Sequence, residues 1–346
     1  MQRADYFIKR LLLIIPTFIG ITFLVFLLCQ FVPGGPVEQA RAAAMSAGGE
    51  GGGGQEAKGA LSEEDEKKLE AAFGFDKPIP QRYWHMMVTQ RMALTAKSFR
   101  WPDQTTWEVI RSRFQISLIF GITSLVLTYI ICIPLGISKA LRDGGTFDIT
   151  SSIIIFTGYA IPAFAFGMIL KMLFCGTVDG LFDWFPVAGF TSDHYEYMSP
   201  WGKFKDIVWH MCLPVICYVI GNFAVLTLLM KNSLLEQISQ DYVRTVLAKG
   251  GSMRAAIWVH ALRNALIPIA TGIGGILTVM FVGSVLIERV FEIPGMGRLS
   301  LEAIMTRDYA LFIALLSLQS ILGLLGNVLQ DVAYVIIDPR INFESR

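Results

Sequence analysis

The residues that could carry chemistry are sparse and widely spaced in this sequence. Four histidines, His85, His194, His210 and His260, fall in no HExxH or HxxxH arrangement suited to a metal. Five cysteines, Cys29, Cys132, Cys175, Cys212 and Cys217, form no CxxC pair. Most sit in apolar runs, where a buried small side chain is the ordinary reading. No GxSxG elbow presents a nucleophile, and no GxxxxGK(S/T) loop offers backbone amides to phosphates. The glycine-rich tract 48–59 lacks the adjacent lysine–hydroxyl pair such a loop needs, since Lys58 is followed by Gly59. The expectation is a chain with no catalytic, cofactor or metal residues of its own.

One stretch does have informative spacing: SLLEQISQDYVRTVLAKGGSMRAAIWVHALRNALIP, residues 233–268. It reads as a short helix through Ala248 and Lys249, a turn at Gly250 and Gly251, and a second helix running onward. Glycine suits such a helix end because it adopts the left-handed conformation cheaply. Val243, Val246 and Leu247 recur at i, i+3 and i+4, an apolar stripe beside Arg244 and Lys249. A helix of this kind either lies in lipid headgroups or docks into a groove on a partner protein.

The elements around that stretch are set by hydropathy. Hydrophobic residues make up 53% of the chain and charged ones only 16%, with a mean hydropathy of +0.53. Soluble domains carry roughly a quarter charged residues, so the missing charge belongs to long apolar segments. Six segments reach the roughly 20 residues needed to cross a bilayer: 11–32, 115–137, 149–174, 211–230, 265–287 and 311–337. The first follows Arg3, Lys9 and Arg10 as a signal peptide would, but its apolar stretch exceeds the usual 7–15 residues. It is expected to stay as an anchor. Lysines and arginines gather at the N-terminus, at 139–142, at 231–263 and in the C-terminal tail, so both termini are expected in the cytoplasm. A formal net charge of +1 gives no argument for nucleic acid.

The expected organisation is a single all-α membrane domain over 1–346, with an external loop and small helical insertion at 33–113 and a cytoplasmic loop at 231–264. Proline and glycine at 33–36 end the first span, the glycine tract reads as linker, and Ser62 caps an acidic helix start at 63–66. Span interiors look almost free of ionisable groups, which argues against an ion-coupled carrier. Lys171 is the main exception, either a lysine snorkelling to the surface or a cargo contact. Gly272, Gly275, Gly283 and Ser284 give the fifth span small residues, for close packing or for lining a path. Glu292, Pro294, Gly295 and Gly297 interrupt regular structure just beyond it, at the outer mouth.

The 233–268 stretch resembles the EAA loop of binding-protein-dependent ABC importers, in the form used by dipeptide and oligopeptide permeases. The family pattern DYVRTARAKG is matched at Asp241, Tyr242, Val243, Arg244, Thr245, Ala248, Lys249 and Gly250, with Val246 and Leu247 departing from it. HALRNALIP is matched in full from His260 to Pro268, including Arg263 and Asn264. FGFDKPIPQRY (73–83), IPLGI (133–137), ERVFEIPGMGRL (288–299), RDYAL (307–311) and DPRI (338–341) extend the likeness over nearly the whole chain. The family's GDLGxS element is not recognisable in ALTAKSFRW (93–101). VPGGPV, the glycine-rich insertion, GYAIPAF and the ending DPRINFESR are similar to the Yej-type branch of peptide permeases.

The resemblance implies a type I importer permease in the bacterial inner membrane. Its partners would be a second homologous permease, one fused or two separate ATPase domains carrying ATP and Mg, and a periplasmic peptide-binding protein, with the lipid bilayer around them. It implies that residues 240–250 fit a cleft in an ATPase domain, with Arg244 and Lys249 as rim charges, Val243 and Leu247 as packed contacts, and Gly250 setting the turn. It implies peptides as cargo. Lys171, Gly272, Gly275, Gly283, Ser284 and Glu288 are the candidates for path or gate.

Overall fold

The computed structural model describes residues 2–31, 77–178, 182–270 and 283–337. Those residues are helical apart from loops and two isolated β-bridges, so the expected all-α class holds. The helices are α1 (Gln2–Phe31), α2 (Ile79–Trp84), α3 (Thr106–Ala140), α4 (Thr146–Ala160), α5 (Ala163–Phe174), α6 (Pro200–Ile238), α7 (Asp241–Ala248), α8 (Val285–Val290), α9 (Met296–Met305) and α10 (Tyr309–Ile337). Short turns between Met253 and Ala270 connect α7 onward, among them a π-helical turn at Ala256–Ala261. The acidic turn at 63–66, the glycine tract, the core of the expected fifth span at 271–282 and the DPRI ending lie outside the described residues.

Helices α1, α3, α6 and α10 are each long and apolar enough to cross a bilayer. The expected third span is not one helix: α4 and α5 meet at 93°. Pro162 explains the break. Its ring removes an amide donor and bars the helical conformation at the preceding residue, and Ile161 is extended (φ −88°, ψ 122°). Helices α3 and α6 run well past the expected 115–137 and 211–230, with 35 and 39 residues. Hydropathy marks the apolar slab, not the helix; Ser199 caps α6 outside that slab by accepting from the Gly202 amide. Pro134 and Pro214 sit inside α3 and α6, as membrane helices tolerate.

The chain forms two compact units. One comprises Met1–Leu11, Arg113–Arg298 and Leu322–Arg346; the other comprises Leu12–Ser112 and Leu299–Ile321. The larger unit has two apolar cores. One gathers Ile137, Ala140, Met230, Leu234, Val243, Ile257 and Ala261. Here Gly136 lets α3 touch α6, since a Cβ would lie 2.6 Å from the Met230 Cβ. The other gathers Phe120, Met211, Val215, Cys217, Ile287, Phe291 and Ile293. In the same unit Arg10 pairs with the buried Asp331, which also accepts from the Tyr6 hydroxyl at 3.2 Å. Asp331 is thus a second ionisable group within an apolar segment, beside Lys171.

In the smaller unit, Tyr83 packs edge-on against Phe23 and Phe26 and shares a hydrogen bond with Thr22. The unrecognised segment 93–101 acquires a role here. It is a tight loop clamped by Asp308 of the RDYAL motif. One Asp308 oxygen accepts from the Ser98 hydroxyl (2.6 Å) and the Phe99 and Arg100 amides (2.7 and 3.2 Å). The other caps α10 through the Leu311 amide (3.1 Å). Asp308 is buried, so Asp308→Ala strands several donors at roughly 1–3 kcal/mol each. Hydrogen exchange over 98–106 is expected to accelerate by at least about tenfold in that variant, while exchange in α6 stays unchanged.

Candidate functional site

The first site is the loop after α6. Asp241 opens α7 in its first turn, where a carboxylate favours the helix dipole. The helix ends in a Schellman motif: the Gly250 amide donates to the Leu247 carbonyl (2.9 Å) and the Gly251 amide to the Val246 carbonyl (3.0 Å). Gly250 sits at φ +83°. Gly251 is needed for space, since a Cβ there would lie 2.7 Å from the Val246 Cγ1. Ser252 then starts the next segment by accepting from the Ala255 amide (3.2 Å).

Tertiary packing turns the apolar stripe inward. Val243 is 2% exposed and buried among Ile137, Met230, Leu234 and Ala261, with Val246 and Leu247 half-buried against the same core. Val243 is therefore a contact of this chain with itself, not the partner contact that the resemblance assigned to it. Tyr242 is half-buried and its hydroxyl donates to Gln237 (2.9 Å). Asp241, Arg244, Thr245, Ala248, Lys249 and Gly250 are exposed, as are His260, Arg263 and Asn264. Arg244 and Asp241 stand 3.8 Å apart on the outer face, an exposed pair of little energetic weight. The outward face is thus polar and charged, while the apolar stripe packs on the chain's own core. Trp258 and Val259 are exposed too; an apolar run of AAIWV gave no sign of which members face out.

Beneath the loop, the ends of α3, α4 and α6 are tied by a buried ion cluster. The Lys139 ammonium is fully enclosed. It lies 2.9 Å from one Asp148 oxygen and donates to the Asp148 carbonyl and the Ser151 and Ser152 hydroxyls at 2.7–2.8 Å. Lys231 of α6 reaches the other Asp148 oxygen at 2.7 Å and Asp143 at 2.8 Å. In the sequence Lys139 counts only among the positive charges that set orientation. Pairing across 83 positions leaves no local spacing to detect.

The second site brings together most of the residues nominated for path, gate and mouth. Ser284 caps α8, whose Glu288 is 1% exposed. One Glu288 oxygen accepts from the Ser117 hydroxyl (3.2 Å), the Ser284 amide (3.3 Å) and the Tyr218 hydroxyl (3.5 Å). The other accepts from the Arg298 amide (2.7 Å). Glycines make room: a Cβ on Gly283, which has φ +64°, would collide with the carboxylate. One on Gly295 would lie 2.5 Å from its carbon, and one on Gly297 2.6 Å from the Val285 amide nitrogen. Lys171 of α5 donates to the Val290 carbonyl (3.0 Å) and approaches Glu292 at 3.7 Å. Pro294 is half-buried; Glu292 is exposed and held at φ +54°. Gly272 and Gly275 lie outside the described residues. Ser117 and Tyr218 were not anticipated; the one available signal was a polar residue inside an apolar segment.

Residues 132–343 match the family described as the binding-protein-dependent transport system inner membrane component, more than half of the chain. The chain belongs to this family. It is similar over 99% of both chains to the peptidoglycan transport system permease protein YejB of Agrobacterium fabrum, at 40% identity. It is 38% identical to the inner membrane ABC transporter permease protein YejB of Escherichia coli and 34% identical to the dipeptide transport system permease protein DppB of that organism, again over 99% of both. The likeness noted from the motifs therefore extends along the full length, and the chain is a multi-pass membrane permease of the ABC importer class.

Proposed function

We propose that this chain is one permease subunit of an ATP-driven peptide importer, with its engine on partner chains. The observation that carries the reading is the outward polar face of α7, presented on a Gly250–Gly251 turn and backed by the chain's own core. A helix braced in this way transmits a push, because its apolar face is already spent on packing. Arg244, Thr245, Ala248 and Lys249 would meet an ATPase domain, with His260, Arg263 and Asn264 exposed on the following segment. A closing ATPase pair would shift the permease only through contacts that differ between its two states.

In this reading ATP and Mg act on the ATPase subunits, fused or separate, and this chain contributes no catalytic group. A second homologous permease completes the path, and a periplasmic binding protein delivers cargo. Both termini lie in the cytoplasm of a bacterial cell, as the distribution of lysine and arginine supports. The names of the relatives divide the cargo between dipeptides and peptidoglycan, so peptides and peptidoglycan fragments are the two classes to compare.

The test is to purify the tagged chain from membranes and measure uptake by the reconstituted complex. An ATPase and a second permease are expected to co-purify, and uptake of labelled peptide is expected to need ATP and binding protein. Transport that persists without ATP and follows an ion gradient would identify a secondary carrier instead. Unchanged uptake in cells lacking the chain would leave a membrane scaffold.

A further inference from the structure

We infer that Glu288 is a positioning residue for transport, whose carboxylate fastens the segment 283–298 to α3 and α6 without touching cargo. Two hydrogen-bond relays end on it. The Met296 amide donates to the Ser117 hydroxyl (2.7 Å), which donates to Glu288. The Ser284 amide donates to the Tyr218 hydroxyl (2.8 Å), which also donates to Glu288. With the Arg298 amide on the second oxygen, both oxygens face donors. Only a group that accepts at both oxygens completes such a cluster. A glutamine of the same size would set its own N–H against a backbone N–H.

The consequence for transport comes from α6. Tyr218 and the end of α6 at Ile238 lie on one continuous helix, about 30 Å apart at 1.5 Å per residue. Immediately after Ile238 comes α7, the proposed point where the ATPase acts. The Tyr218 hydroxyl thus adds a directional link, beside the apolar packing of α6 on Ile287, Phe291 and Ile293, by which a displacement of α6 reaches segment 283–298, the mouth in the proposed topology. The transport half of this inference rests on the permease reading above; its structural half does not.

The test uses the full complex and two variants, Glu288→Gln and Tyr218→Phe. A single cysteine replaces the buried Met296 in a background freed of the natural cysteines. Glu288→Gln is expected to raise maleimide labelling at position 296 by about tenfold or more, the ratio for one stranded buried donor. It is also expected to lower uptake per assembled complex by about as much. Tyr218→Phe leaves the Ser117 and Arg298 links, so it should lower maximal uptake severalfold at unchanged half-saturating peptide, with labelling still slow. Unchanged labelling in Glu288→Gln overturns the inference, and so does raised labelling with normal uptake per complex. If Glu288→Gln fails to assemble, normal uptake by Tyr218→Phe overturns it. If the unsubstituted complex moves no peptide, the function reading falls while the labelling result still decides the role of the carboxylate.

Discussion

Asp148→Ala is expected to destabilise the folded protein severely. The carboxylate lies between two ammonium groups, and Lys139 has no exposure through which water could replace it. Removing one partner of a buried pair leaves an uncompensated charge, a loss of about 3–5 kcal/mol. That is a large share of the ~5–15 kcal/mol typical of a domain. Lys231 keeps Asp143 at 2.8 Å, so the damage centres on Lys139. The double variant Asp148→Ala with Lys139→Met should recover much of the loss, because two apolar side chains in place of a buried pair are often neutral. Monodisperse protein recovered by size exclusion in detergent, together with the thermal aggregation midpoint, measures both. Equal yields from the single and double variants would show that the pair carries no special weight.

Gly250→Val is expected to uncouple transport while the chain still inserts. No atom lies within 4 Å of a Cβ built at Gly250, so volume is not the obstacle. The obstacle is φ +83°, where an L side chain costs roughly 1–2 kcal/mol and a β-branched one is a clear outlier. Relieving that strain opens the Schellman turn that ends α7, which misdirects the helix. Uptake per inserted chain should fall by about tenfold, the ratio for 1.4 kcal/mol. Gly250→Asn should retain most of it, since asparagine tolerates the left-handed region. Uptake in vesicles at matched protein, with ATPase co-purification as the second readout, separates conformation from bulk. Equal activity in the two variants would remove Gly250 from this role.

Short-range features were legible and long-range ones were not. The helix, the glycine turn and the segment after it could be read from 233–268 because capping and turn chemistry act over a few residues. The direction of the Val243 stripe could not, since an apolar stripe states that one face will be covered and leaves open by what. Pro162 was visible, but the hydropathy of 149–174 is as continuous across it as through a straight helix. Only the packed structure shows the 93° break. Asp331, inside an apolar run, is held by Arg10 from the far end of the chain.

The sequence by itself determined that this is an all-helical membrane chain of the importer permease family, and it singled out the stretch where a partner's motion is proposed to enter. Those conclusions rest on the hydropathy of single segments and on a motif contained in 36 consecutive residues, 233–268. The tertiary structure alone decided what backs that motif and what holds the other site. Val243 closes a core with residues from α3 and α6, and Glu288 joins residues up to 171 positions away. Burial and hydrogen bonding at such separations depend on which helices meet, and no period or spacing along one segment contains that information.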